Sequence, residues 1–225
     1  MTFSIVARCA ETGMFGVAVS SSSPAVAARC AHARAGVGAV ASQNVTDPML
    51  GPRVLNLMES GALAKEAIEI VRRHTDHIEY RQVTAVDRFG AGAVYSGPNV
   101  LGINGESVGR RDVVCAGNLL ANGKVLQEMT QAFLNSEGHL GDRLILAMRA
   151  ALTAGGEAGP VHSAGMKLVR EVPWPVADLR CDWTEDCPIE AVAAAWEVYK
   201  PQLDDYVTRA LDPTAAPSYG VPGDE

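Results

Sequence analysis

The chain has 225 residues, 48% hydrophobic but only 5% aromatic, with a formal net charge of −7. That length predicts one domain whose core is packed from Ala, Val, Leu and Ile. The acidic balance, with no basic run longer than the Arg72-Arg73-His74 kind, excludes nucleic acid and anionic membranes as expected partners, and no apolar run approaches a membrane span.

The first two dozen residues organise the rest. Residues 2–7 alternate, Phe3, Ile5 and Ala7 pointing one way and Thr2, Ser4 and Val6 the other, which is strand periodicity. Glu11-Thr12-Gly13 is turn chemistry and residues 15–21 read as the returning strand of a hairpin. Pro24 ends that strand, and residues 25–35 read as a short helix or an irregular crossing. A third strand of tiny side chains is expected over residues 36–42, followed by the polar Gln43, Asn44 and Thr46. Asp47-Pro48 reads as N-cap and first helical residue of a helix through Met58, broken by Gly61; residues 62–74 read as a second helix. A hairpin over residues 80–87 and 91–95 turns at Arg88-Phe89-Gly90, and residues 108–115 lead into Ala116-Gly117-Asn118. Helices are expected over residues 125–135 and 140–153, strands over 163–169 and 177–181, and one long last helix from Pro188 to near Leu211. The Pro- and Gly-containing stretch 212–225 is expected to be a tail outside a single domain, 1–211. Short hairpin connections require antiparallel pairing, so the order of elements fits a layered α/β or α+β domain, not a doubly wound parallel one.

The first strand begins at residue 2, and residue 2 is a hydroxyl-bearing Thr. Met before a small residue is a terminus that methionine aminopeptidase trims. Loss of Met1 would make Thr2 Oγ1 and the α-amine neighbours. A free α-amine has a pKa of about 7.7–8.0, so it can serve as general base for the hydroxyl without a His or Asp. Taken alone, Thr2 is more readily the bland first residue of a sheet.

Several segments together carry a resemblance: Thr2-Phe3-Ser4-Ile5-Val6-Ala7-Arg8, Gly16-Val17-Ala18-Val19, Ala35-Gly36-Val37-Gly38-Ala39-Val40-Ala41-Ser42-Gln43, Gly51-Pro52, Tyr80-Arg81-Gln82, Gly117-Asn118 and Arg209-Ala210-Leu211-Asp212-Pro213. As a set they resemble the DUF1028 family, which is grouped with the N-terminal-nucleophile (Ntn) hydrolases. The resemblance implies a four-layer αββα sandwich of the Ntn-hydrolase type and no particular substrate. Thr2 matches the terminal nucleophile, provided Met1 is removed. The Asp that ends the second strand in proteasome-like members, and their later Lys, have no counterpart: the stretch here is Val19-Ser20-Ser21-Ser22, and no Lys precedes Lys65.

On this reading Thr2 and Asn118 are the candidate catalytic residues, Asn118 as oxyanion donor, with an Asx turn at the strand end as the plain alternative. Ser20, Ser21, Gln43, Asn44 and Gly117 are the candidate substrate-binding residues. No cofactor is expected. No metal is expected either, because His74-Thr75-Asp76-His77 sits among charges at a helix end with no third ligand. The five cysteines, Cys9, Cys30, Cys115, Cys181 and Cys187, are odd in number and lack zinc-knuckle spacing; with no basic-then-apolar leader before the first strand they predict a cytoplasmic protein. The expected function is hydrolysis of a small amide, the alternatives a non-catalytic binder of a small metabolite and a structural homo-oligomer. A homodimer is expected from the stripe Ile189, Val192, Trp196, Tyr199 and Leu203, which is wide enough to pack inside the chain or against a twin.

Overall fold

The computed structural model describes residues 2–109 and 111–221. Met1, whose removal the nucleophile reading needs, and residues 222–225 of the tail lie outside the described residues.

Strands β1 (Thr2–Arg8) and β2 (Phe15–Ser21) form the expected hairpin. The segment after Pro24 is both a five-residue helix, α1 (Val26–Cys30), and a strand, β3 (Ala31–Arg34). Strand β4 (Gly38–Asn44) starts two residues later than expected, because Gly36, at φ 69°, lies in the turn that joins it to β3. Helix α2 (Leu50–Glu59) also starts late: the Asp47 carboxylate accepts the Met49 N–H at 2.9 Å and closes a turn before the helix instead of capping it. Helix α3 (Ala64–Arg73) and the hairpin of β5 (Arg81–Asp87) and β6 (Gly92–Ser96) follow. The expected single lead-in from residue 108 is instead the second strand of a hairpin, β7 (Gly105–Val108) with β8 (Val113–Asn118). Helices α4 (Val125–Leu134) and α5 (Leu140–Thr153) precede β9 (Ser163–Val169) and β10 (Ala177–Cys181). The expected long last helix is two, α6 (Pro188–Tyr199) and α7 (Leu203–Leu211), joined by a 3-10 turn at Lys200–Gln202. Pro201 in that turn has no N–H to carry the helical ladder through.

The strands make two antiparallel sheets, in the orders β10-β9-β2-β1-β8-β7 and β3-β4-β5-β6. Strand alternation divides the core into layers. Phe3, Ile5 and Ala7 of β1 face outward against Met129, Leu144 and Met148 of α4 and α5. Val6 faces inward and packs with Val17, Val19, Ala39, Ala41, Val86 and Val114 between the sheets. Val40, Val83 and Ala85 face outward from the second sheet against Val54, Leu55 and Ile68 of α2 and α3. The result is an α+β fold, the four-layer αββα sandwich that the resemblance implies, with β1 near the middle of its sheet. Alanines at 39 and 41 keep the inner layer thin, which brings residues of the two sheets within hydrogen-bonding reach of each other at the end where the layer turns polar.

The apolar stripe of the last helical segment is used inside the chain. Ile189, Val192, Trp196 and Leu203 are buried in the same core as α5 and β9, and Trp196 Nε1 donates to Asp142 Oδ1 at 2.8 Å. It therefore gives no support to a dimer. The tail folds back on α7: Arg209 donates to Pro217 O at 3.0 Å and stacks over the Tyr219 ring. Among the described residues no helix is long and apolar enough to cross a membrane.

Candidate functional site

At one end of the sandwich the inward-facing positions change from Val and Ala to polar residues. Thr2 and Ser4 of β1, Ser21 of β2, Asn118 of β8, Gln43 of β4, and Gln82 and Thr84 of β5 are all buried there. A buried amide or hydroxyl needs a partner, and the amides of this layer find each other across the gap between the sheets. Gln43 Nε2 donates to Gln82 Oε1 at 2.7 Å, and Asn118 Nδ2 donates to the same oxygen at 3.4 Å. Gln82 Nε2 donates in turn to Ser96 Oγ at 3.0 Å and to the carbonyls of Gly105 and Gly117, both at 3.2 Å. Those acceptors fix which end of the Gln82 amide is which, and so orient its neighbours. The atoms left over are acceptors: Asn118 Oδ1 and Gln43 Oε1 are buried without a hydrogen-bond partner.

Thr2 borders this seam. It lies directly opposite Asn118 in the pairing of β1 with β8, so the two side chains share a face with Cβ atoms roughly 4.5–5.5 Å apart. Thr2 Oγ1 donates to Ser21 Oγ at 3.4 Å, and Ser21 Oγ accepts the Ser23 N–H at 3.0 Å. The structure therefore brings Thr2, Asn118, Ser21 and Gln43 to one layer. It turns two other candidates away. Ser20 faces the opposite side of β2, where its hydroxyl donates to Ser163 O at 3.0 Å, because alternate residues of a strand point apart. Asn44, at φ 75°, ties loops together: its Nδ2 donates to Tyr80 O at 2.6 Å and its Oδ1 accepts the Leu101 N–H at 3.2 Å. Gly117 enters through its carbonyl, and its lack of a side chain makes room for Leu120, whose Cδ2 is 2.7 Å from where a Cβ would stand.

Sequence reasoning missed two residues at this end. Gln82 is the hub of the amide layer; its sequence signals are a long polar side chain at the start of β5 and its place in the Tyr80-Arg81-Gln82 segment of the resemblance. Glu157 lies in a loop after α5. It is 4% exposed, its Oε2 accepts the Ser22 N–H at 3.1 Å, its backbone forms an isolated bridge with Leu120, and its Oε1 has no hydrogen-bond partner. Burial pushes its carboxyl up to about 7, against the lowering effects of the chain's amino-terminal charge, the Ser22 N–H and His162. His162 comes from the approach to β9; its Nδ1 lies 2.8 Å from Thr184 O and its ring stacks on Trp183. The neighbouring Ser163 is not its partner, since Ser163 Oγ donates to Ser23 O at 2.6 Å.

Other reactive groups lie elsewhere. All five cysteines are free thiols, and burial pushes Cys115 up to about 12. His74 and His77 are exposed, and among the described residues no group of three or more His, Cys, Asp or Glu is placed to hold a metal ion. A cleft of about 490 Å³ lined by Cys9, Glu11, Ser136, Glu137 and Arg143 adjoins the far end of β1, away from Thr2.

The profile of a family of unknown function, DUF1028, matches residues 2–192. The crystal structure of protein SPO2555 from Silicibacter pomeroyi, described with the same family, is similar over 89% of this chain and 88% of its own, at 31% identity and a TM-score of 0.80. Weaker likeness extends to eukaryotic HslV from Trypanosoma brucei (10% identity, 76% of this chain and 99% of that one, TM-score 0.44) and to Anbu, the ancestral beta-subunit, from Yersinia bercovieri (11% identity, 92% and 96%, TM-score 0.41). No curated protein matches the sequence.

Proposed function

This chain belongs to the DUF1028 family, and we propose that it is an N-terminal-nucleophile hydrolase of a small amide, with Thr2 as nucleophile once Met1 is removed. The observation that carries the reading is the position of Thr2: a hydroxyl at the start of a central strand, buried at 5% exposure beside a layer of amides, in a sandwich whose inner face is otherwise apolar. Such a layer suits a small polar substrate, because its remaining acceptors, Asn118 Oδ1 and Gln43 Oε1, match the N–H groups of an amide.

In the reaction the Thr2 hydroxyl proton passes to the α-amine as Oγ1 bonds to the substrate carbonyl carbon. The carbonyl becomes an oxyanion. Asn118 Nδ2 has a second N–H beyond the one given to Gln82, and that is the donor assigned to the oxyanion. The ammonium then returns its proton to the leaving nitrogen as the C–N bond breaks, and water hydrolyses the ester left on Thr2.

A second reading, a non-catalytic binder of a small metabolite on the same fold, is favoured by the internal satisfaction of Gln82, whose amide is fully engaged within the chain. Intact mass of the native protein separates the two most cheaply: the hydrolase reading needs a chain one Met lighter. Small amides, cyclic imides and ureido acids, screened with mass detection, then test turnover. Equal hydrolysis by wild type and Thr2→Ala would remove Thr2 from the role. The expectation of a homodimer stands as a proposal, tested by sedimentation at micromolar concentration.

A further inference from the structure

We propose that Glu157 is the carboxylate partner of the Thr2 α-amine in the processed chain, where it holds the ammonium that forms when the hydroxyl gives up its proton. The inference rests on the nucleophile reading above and fills the charged role that the Val19-Ser20-Ser21-Ser22 stretch leaves vacant.

The placement follows from sheet order. Strand β1 lies between β2 and β8, and Glu157 touches the continuation of both. On one side its backbone bridges Leu120, two residues beyond the Asn118 that faces Thr2. On the other its Oε2 takes the N–H of Ser22, the residue after the Ser21 that hydrogen-bonds Thr2. A residue anchored to both neighbours of β1, just past its first residue, crosses the end of β1 where the α-amine of a chain beginning at Thr2 must stand. Gly156, at φ 59°, turns the backbone into this position, and the Phe3 ring passes 3.6 Å from where its Cβ would be.

The chemistry of the carboxylate fits. Oε2 is engaged, whereas Oε1 is buried without a partner. A buried carboxylate with an unpartnered oxygen is unfavourable unless it is protonated or meets a cation. The Ser22 N–H is its neutral donor, and the positive charge of the chain's amino terminus and His162, itself 3.8 Å from Glu185, both favour its ionised form. When the hydroxyl proton moves onto the α-amine, Oε1 accepts one ammonium N–H, and the carboxylate stays ionised while the proton goes on to the leaving nitrogen. Asp plays the same part behind His in a Ser-His-Asp triad. Glu157 is thus a positioning residue, acting through the amine.

The test reads the amine directly and needs no substrate. Full-length protein beginning at Thr2, made where necessary by cleaving an N-terminal fusion, is labelled with trace acetic anhydride from about pH 5 to about pH 10, and acetylation of the terminal peptide is followed by mass. The wild-type midpoint should lie above the ordinary α-amine range of about 7.7–8.0. Glu157→Gln should lower it by about one unit or more, and Glu157→Asp should restore part of the shift. An unmoved midpoint in a folded Glu157→Gln protein overturns the proposal. If that variant does not fold, a wild-type midpoint inside or below the ordinary range overturns it equally. A protein that hydrolyses nothing but shows the shift would sink the hydrolase reading and leave the pairing; hydrolysis that depends on Thr2, with no shift, would do the reverse.

Discussion

The carboxylate of Glu157 accepts the backbone N–H of Ser22 at 3.1 Å while remaining 4% exposed. One N–H is too little to offset its desolvation, so the group is held up to about 7 in the folded chain, well above an ordinary Glu. Between about pH 4.5 and about pH 7 the folded state therefore binds a proton that the unfolded state has lost, and stability falls as pH rises through that window. The loss is on the order of 3 kcal/mol when complete. Thermal or urea unfolding from about pH 4 to about pH 8 should show this decline in wild type and a flatter profile in Glu157→Gln. Parallel profiles would mean that the carboxyl is already ionised in the folded chain throughout that window, as pairing with an ammonium would make it.

Thr2→Ala should abolish turnover and leave the fold nearly intact. The change removes one hydroxyl and one methyl at a strand end, where substitutions of that size usually cost about 1 kcal/mol. Thr2→Ser should keep part of the rate, since the oxygen remains but the β-branched stiffness that aims it is lost. If the protein only binds, Thr2→Ala would instead weaken ligand affinity by roughly 0.5–1.5 kcal/mol, and neither form would release product. Product analysis by mass, alongside calorimetric binding, distinguishes the two patterns.

Gln82→Leu should be among the more damaging substitutions in β5. The side chain is wholly buried and its NH₂ serves Ser96 Oγ and two carbonyls from β7 and β8, while its oxygen serves Gln43 and Asn118. A leucine of similar size would strip those groups of their partner, at about 1–3 kcal/mol for each buried one that finds no new partner. A denaturation midpoint within error of wild type would show that the seam rearranges freely.

Trp196→Ala should cost about 3–5 kcal/mol through the cavity it leaves between α5 and α6. It also strips the indole N–H from Asp142, though Lys200 Nζ still donates to the other carboxylate oxygen at 2.6 Å. Because the stripe packs within the chain, urea unfolding should register the loss while sedimentation shows the same association state as wild type. A change of association state without loss of stability would place Trp196 at an interface.

Local pattern and tertiary structure governed different parts of this protein. Alternation between apolar and polar residues, turn glycines and helical spacing were enough to locate most strands and helices, because each rests on neighbours within a few residues along the chain. Residues 163–169 and 177–181 are read from the sequence with the bounds they have in the fold. Strands β3 and β7 were not legible: each has four residues, too few for a period to stand out, and each is stabilised by a partner strand more than by its own pattern. The break at Pro201 was legible in principle, since Pro cannot continue a helical ladder. At the site, the sequence alone determined that a Thr opens the first strand and that polar residues follow the apolar runs ending at Gln43 and Asn118; that this strand lies inside its sheet was decided by the fold. Only the tertiary structure decided that Gln82 links them across two sheets, and that Glu157, 155 positions after Thr2 in the chain, closes the end of the same strand. Hydrogen-bond partners and desolvation depend on distance in space, and no spacing along the chain records which loop folds back across which strand.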